Sequence, residues 1–216
     1  MEQVQKISRC VFLDAGHGGI NPKTGQYMVL AGGKQFDHKK GSFHNGTIFY
    51  EGVFNRQLAQ KIDAELVKKG IRVVHTYHDW QDNSLESRVA LANKYSRTVK
   101  EGVFVSVHAN AANTRARGFS VWTTKNKSKS DLLADFIWER VKVAMPEFQM
   151  REDRTDGDHD YEEQFYVTRN TEMPAVLIET LFFDNYEDAV LLMSQTIQQR
   201  VAVAVADAIA DYLDRI

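Results

Sequence analysis

Val11-Phe12-Leu13-Asp14-Ala15-Gly16-His17-Gly18-Gly19 passes from an apolar run to a histidine set among glycines. Two later stretches repeat the change: Val103 to Val107 runs into His108, and Ala175 to Ile178 runs into Glu179. Short apolar runs rich in β-branched residues read as buried strands. In open α/β sheets, ligands bind just beyond the carboxyl ends of the parallel strands. His17, His108 and Glu179 are therefore expected as neighbours over one crevice. The fold expected is a single-domain α/β fold, a mostly parallel twisted sheet of about five to six strands with helices on both faces.

Outward from those strand ends, the chain alternates short apolar runs with helical periods. Ile20 to about Tyr50 is rich in Gly, Lys, Asn and His and has no period, which makes it an unusually long loop. From Gly52 to Lys69, Phe54, Leu58, Ile62 and Leu66 recur every fourth residue, and Gly70 follows as a stop, so a helix is expected. Ile71 to Tyr77 reads as a strand, and Asn83 with Glu86 offers a capping-box-like start to a helix carrying Leu85, Val89 and Ala92. Gly118 to Thr124 alternates as a strand near an edge, and Ser130 to Met145 is a helix that Pro146 ends. Residues 151–163 read as an acidic loop, Phe165 to Thr168 as a short extended piece, Met173 to Glu179 as the last buried strand, and Asn185 to Ile216 as one or two helices. No repeat or linker interrupts the pattern, so 1–216 is read as one domain.

At 216 residues and 43% apolar, the chain can bury a sizeable core without a staple. Its 27 basic and 29 acidic residues give a net charge of −2, which argues against a nucleic-acid partner held by phosphate neutralisation. The lone cysteine, Cys10, has no internal partner and opens the first strand, where a small buried apolar side chain is expected. Met1-Glu2-Gln3-Val4-Gln5-Lys6 lacks the charged and apolar regions of a secretory signal, and no apolar run approaches the ~20 residues of a membrane span. Synthesis in the cytoplasm, without membrane insertion, is the expectation. Action elsewhere would need another protein.

The chemistry starts at His17, where small neighbours let a metal or substrate come close to the backbone. Ser106-Val107-His108-Ala109-Asn110 places a second imidazole at another strand end. Glu51, in the first turn of the expected helix, is a candidate third ligand, although the helix dipole alone would favour a carboxylate there. Two imidazoles and one carboxylate with an open fourth position is a recurrent set in hydrolytic zinc sites, so Zn2+ is the metal expected. A carboxylate outside that set must move the proton, and Glu179 takes this role. It ends an apolar run, where a glutamate without a charge partner would be costly.

Leu13-Asp14-Ala15-Gly16-His17-Gly18-Gly19, Glu51 with Asn55, Glu86-Ser87-Arg88-Val89-Ala90-Leu91-Ala92-Asn93, Ser106 to Ala111, and Pro174 to Glu179 occur in this order over nearly the whole chain. In that order they resemble the zinc-dependent N-acetylmuramoyl-L-alanine amidases of the type 3 family, here like the catalytic part of a phage endolysin. The resemblance implies hydrolysis of the amide between the lactyl group of N-acetylmuramic acid and L-alanine in bacterial peptidoglycan. It implies His17, Glu51 and His108 as zinc ligands and Glu179 as the catalytic carboxylate. A role in cell lysis, reached through a membrane opened by a separate pore-forming protein, would fit the absence of a leader. Two alternatives keep the same residues in view: a zinc peptidase cutting within the stem peptide, and a peptidoglycan-binding module without turnover.

Asn110 and Arg88 are candidate substrate contacts, the arginine with a packing role as its alternative. His38 and His44 are rival ligands in the long loop, where solvated histidine is the default. His75 and His78 are read as structural, and Trp80, Trp122 and Trp138 as core or rim residues. Asp156-Gly157-Asp158-His159-Asp160 starts like a calcium loop, but Tyr161 and Val167 stand where such a loop needs glycine and a bidentate glutamate, so an EF-hand is excluded. The acidic segment is either solvated or a wall of the substrate groove.

Overall fold

Val11, Leu13 and Ala15 enter one apolar cluster while Cys10 and Phe12 enter another, as the two-residue period of a strand requires. This strand, β1 (Ile7–Ala15), is followed by β2 (Gln35–Asp37), β3 (Ile48–Tyr50), α1 (Glu51–Lys68), β4 (Arg72–His75), α2 (Leu85–Ser96), β5 (Val99–Asn110) and β6 (Ser120–Thr123). Next come α3 (Lys129–Ala144), β7 (Tyr161–Glu162), α4 (Tyr166–Asn170), β8 (Ala175–Phe182), α5 (Tyr186–Met193) and α6 (Gln195–Arg215). These elements come from a computed structural model that describes residues 7–125 and 129–216. Met1–Lys6, read above for a leader, lies outside the described residues. Among those described, no helix is long and apolar enough to cross a membrane.

Six strands form one sheet in the order β4-β1-β5-β8-β6-β7, with β2 and β3 pairing separately. The four strands β4, β1, β5 and β8 are mutually parallel, and β6 runs antiparallel to β8. Helices cover both faces. Val11, Leu13, Val103, Val105, Val107, Val176 and Ile178 pack with Phe54, Leu58 and Ile62 of α1, Leu133 and Ile137 of α3, and Val205 and Ile209 of α6. On the other side a smaller cluster joins Phe12, Phe104, Ala175 and Leu177 to Val89 and Ala92 of α2 and Val167 of α4. The mostly parallel, two-faced sheet is the one expected.

Several details differ from the sequence reading. The N-cap of α2 is Ser84, whose hydroxyl accepts from Ser87 N, and not Asn83. Phe165–Thr168 is not extended: Phe165 caps α4, and Val167 is buried in the smaller cluster. Aromatic and β-branched residues favour strands, but docking of this turn overrides that weak preference. The 20–50 loop is packed rather than loose. It carries β2 and β3, buries Phe43 and Phe49, and stacks Phe49 on Phe183 with ring centroids 5.8 Å apart.

Candidate functional site

The register of the central strands brings the polar ends together. Asp14 pairs with Ser106, and His108 with Glu179, on the side of the sheet covered by α2 and α4. β1 ends at Ala15, and Gly16 N donates to Val107 O at 3.0 Å, which carries the chain across the end of β5. A Cβ on Gly16 would lie 2.0 Å from the His108 ring, so only glycine permits that approach. His17 then turns back over the strand ends with a left-handed φ of 61°. Its carbonyl is held by Arg56 Nη2 at 2.7 Å and Arg88 Nη2 at 3.2 Å.

Glu51 reaches the same point from α1. The first N–H groups of a helix lack internal partners. Here Glu51 N donates to Lys34 O at 3.0 Å, and Gly52 N to the Tyr27 hydroxyl at 2.9 Å, so the 20–50 loop fixes the helix start. A Cβ on Gly52 would meet Gly18 O at 1.9 Å, so the helix start also abuts the His17 turn. Glu51 Oε1 lies 3.2 Å from His17 Nε2 and 3.0 Å from His108 Nδ1. Asn55 Nδ2, one turn further along α1, donates to Gly16 O at 3.1 Å.

His17, Glu51 and His108 each offer one ligand atom, all within 4.8 Å of one another, and form a candidate metal site. His17 Nε2 and Glu51 Oε2 are buried without a hydrogen-bond partner. Orphaned nitrogen and oxygen donors at this spacing suit a cation, which would satisfy both. Glu179 Oε2 is likewise buried and unpartnered. The two carboxyls are pushed apart. Burial alone would raise Glu51, but the adjoining imidazoles of His108 and His17 outweigh it and hold the group well below the usual carboxylate range. Burial pushes Glu179 up to about 8, with the Glu51 charge adding and His108 and Lys34 opposing. Burial lowers His17, whereas for His108 the Glu51 carboxylate overcomes burial and raises it.

His17, His108 and Glu179 front a cleft of about 230 Å³, also lined by Asp14, Gly16, Lys34, Asp82, Leu85, Arg88, Phe165, Tyr166, Val167 and Leu177, with Glu51 buried behind the two imidazoles. Its apolar wall is thus α4 and its flank, and none of 151–163 lines it. A larger surface groove of about 580 Å³ beside α3 and α6 contains no histidine.

Arg88 is 1% exposed, and its contacts are internal. Nε donates to Asn83 O, Nη1 to Asp14 Oδ1 and Ala15 O, and Nη2 to His17 O and Asp82 Oδ1. A guanidinium has five N–H donors, so none is left for a substrate. These internal bonds are those of the packing role given above as the alternative for Arg88. Asn110 ends β5 with its Oδ1 accepting from Ala111 N at 2.8 Å, and its side chain does not line the cleft. His38 instead meets Phe183 O at 3.0 Å, and His44 Nδ1 accepts from Tyr50 N at 2.9 Å, so neither rival joins the cluster. His159 stacks on Trp138 and contacts Asp135 and Glu139, away from the cleft.

The sequence reading missed the group beneath the site. Asp14, 1% exposed, accepts from Ser106 Oγ at 2.7 Å, Thr76 Oγ1 at 3.1 Å and Arg88 Nη1 at 2.8 Å. Burial would raise its pKa, but Arg88 and Ser106 reverse the sign and lower it. An aspartate inside an apolar run facing an arginine motif was the available signal. Arg56 and Lys34 left no such trace.

Residues 11–211 match a family model described as N-acetylmuramoyl-L-alanine amidase. The chain is 28% identical over 221 residues to the endolysin of Bacillus phage SPP1, covering 96% of this chain and 67% of that protein. It is 26% identical over 244 residues to the N-acetylmuramoyl-L-alanine amidase AmiA of Escherichia coli (strain K12), covering 94% and 76%. The fold is similar to a solved N-acetylmuramoyl-L-alanine amidase from Clostridium difficile 630, with a TM-score of 0.75, 27% identity, and coverage of 96% and 97%.

Proposed function

The chain belongs to the N-acetylmuramoyl-L-alanine amidase family, and from that premise we propose that it hydrolyses the lactyl–L-alanine amide of bacterial peptidoglycan with a zinc ion held by His17, Glu51 and His108. The observation that carries this reading is the convergence of His17, Glu51 and His108, with ligand atoms within 4.8 Å of one another, beside a cleft that the buried, unpartnered Glu179 carboxyl also lines. The reading treats 1–216 as one amidase domain.

Bound there, zinc supplies Lewis acidity for the carbonyl and lowers the pKa of water so that a nucleophile is available near neutral pH. Glu179 takes the proton of the attacking water and returns it to the departing alanine nitrogen, so attack and leaving-group protonation share one carboxylate. Its burial supports this role: held near 8 by desolvation and drawn down by an adjacent cation, the group exchanges protons in the neutral range. Arg56 and Arg88 orient His17 through its carbonyl. Phe165, Val167 and Leu177 present an apolar wall against the lactyl and alanine methyl groups and exclude water. Asn110, two residues beyond His108, remains a candidate for a further substrate contact.

The biological setting that fits is lysis: a chain made in the cytoplasm and released onto the wall through a separate pore-forming protein, as expected of an endolysin. The test is a digest of purified peptidoglycan with chelator and zinc add-back, read by mass spectrometry. Stem peptides beginning with free L-alanine, lost on chelation and restored by zinc, are the expected products. Cuts within the stem would replace this reading with the peptidase, and binding without products with a wall-recognition module.

A further inference from the structure

The cleft is lined by the acids Asp14, Asp82 and Glu179 and by two permanent cations, Arg88 and Lys34. Every N–H of Arg88 is already engaged inside the fold. Lys34 is different. Its ammonium lies 3.5 Å from Glu51 Oε2, a long separation for an ion pair, and its side chain is 32% exposed. Its backbone, by contrast, is pinned: Lys34 O accepts from Glu51 N and from the Tyr27 hydroxyl, each at 3.0 Å, and Tyr27 stacks on Tyr50 at 4.3 Å. A fixed base therefore presents a cation with donors to spare at the cleft.

We infer that Lys34 binds a carboxylate of the substrate's stem peptide, namely the α-carboxylate of the D-glutamyl residue that follows L-alanine. The inference rests on the amidase reading above. That carboxylate stands about 6 Å from the nitrogen being released, one extended residue plus a carboxyl group, which a lysine at the cleft can span. An anion entering beside Asp82 and Glu179 is repelled unless a cation meets it, and an ammonium donates a charge-assisted hydrogen bond to a carboxylate. Lys34 comes from the 20–50 loop, so that loop carries specificity for the free acid as well as the fixed start of α1.

The test compares two defined substrates, N-acetylmuramoyl-L-alanyl-D-γ-glutamyl peptides carrying either the free α-carboxylate or its amide. Lys34→Met keeps the apolar stem and removes the charge. It should raise KM for the free acid roughly tenfold, as expected for loss of a hydrogen bond to a charged group. The change for the amide should be several-fold smaller, and Lys34→Arg should recover much of the loss. An equal loss on both substrates, or none on the free acid, would overturn the inference. If the wild-type protein releases alanine-terminated peptide from neither substrate, the bond assignment itself fails and the inference falls with it.

Discussion

The two faces of the sheet are made by the same strands yet are used in opposite ways. Toward α1, α3 and α6, β1, β5 and β8 present Val11, Leu13, Val105, Val107, Val176 and Ile178, all 0% exposed, and nothing polar interrupts them. Toward α2 and α4, the apolar residues stop short, and the next positions on that face are Asp14, Ser106, His108 and Glu179. A period of two lets one strand supply core to one side and chemistry to the other at the same level. The large cluster can hold the strands rigid while the small one gives up area to a cleft.

If that division is right, activity and stability separate by face. Glu179→Gln tests the cleft side and should have the largest effect. Turnover falls by about 10³-fold, within the range for a lost general acid–base group. Metal content is retained. The thermal midpoint stays or rises, because a buried oxygen that has no partner is replaced by a neutral amide. Near-normal kcat on peptidoglycan would remove Glu179 from the mechanism.

Arg88→Met sharpens the comparison, since Arg88 supports both functions. Asp14 would keep Ser106 and Thr76 but lose its buried cation, and breaking such a pair costs about 3–5 kcal/mol. The His17 carbonyl would lose one of its guanidinium donors at the same time. Urea unfolding and kcat should both fall. Loss of activity at unchanged stability would point instead to a direct substrate role. Ile209→Ala, on the other face and 0% exposed, should cost about 2–4 kcal/mol by leaving a cavity. Its kcat, measured well below the midpoint, should match wild type. A drop there would show that the faces are coupled.

The same division explains what could be read in the sequence. The α1 stripe and the three strand ends were legible because burial imposes a period on them, and Glu51, His17, His108 and Glu179 follow from those positions once a parallel sheet is assumed. The 20–50 loop has no period. Its order comes from contacts distant in sequence, such as Phe49 on Phe183 and His38 on Phe183 O, which leave no local trace. Lys34 was hidden for the same reason. The α4 turn, Tyr166-Val167-Thr168-Arg169-Asn170, has strand-like composition, and only its docking of Val167 makes it helical. Arg88 was visible as a motif residue, but its five internal bonds required the fold.

The smallest effect expected lies directly under the site. Ser106→Ala deletes the 2.7 Å bond to Asp14 Oδ2 while leaving Arg88 and Thr76 in place, so the loss at neutral pH should be about 1–2 kcal/mol. Its pH dependence is the sharper readout. Asp14 has its folded pKa lowered from 3.8, burial being outweighed by Arg88 and Ser106. A lowered folded pKa contributes stability that is present above the unfolded value and lost as pH falls through the folded one. The gap between wild type and variant in urea unfolding should therefore stay constant from neutral pH to about pH 4 and narrow below it, as far down as the fold persists. A gap that holds or widens on acidification would mean that the serine does not bond an ionised carboxylate. The polar layer would then be held by Arg88 and Thr76, and the contrast between the two faces would rest chiefly on one ion pair.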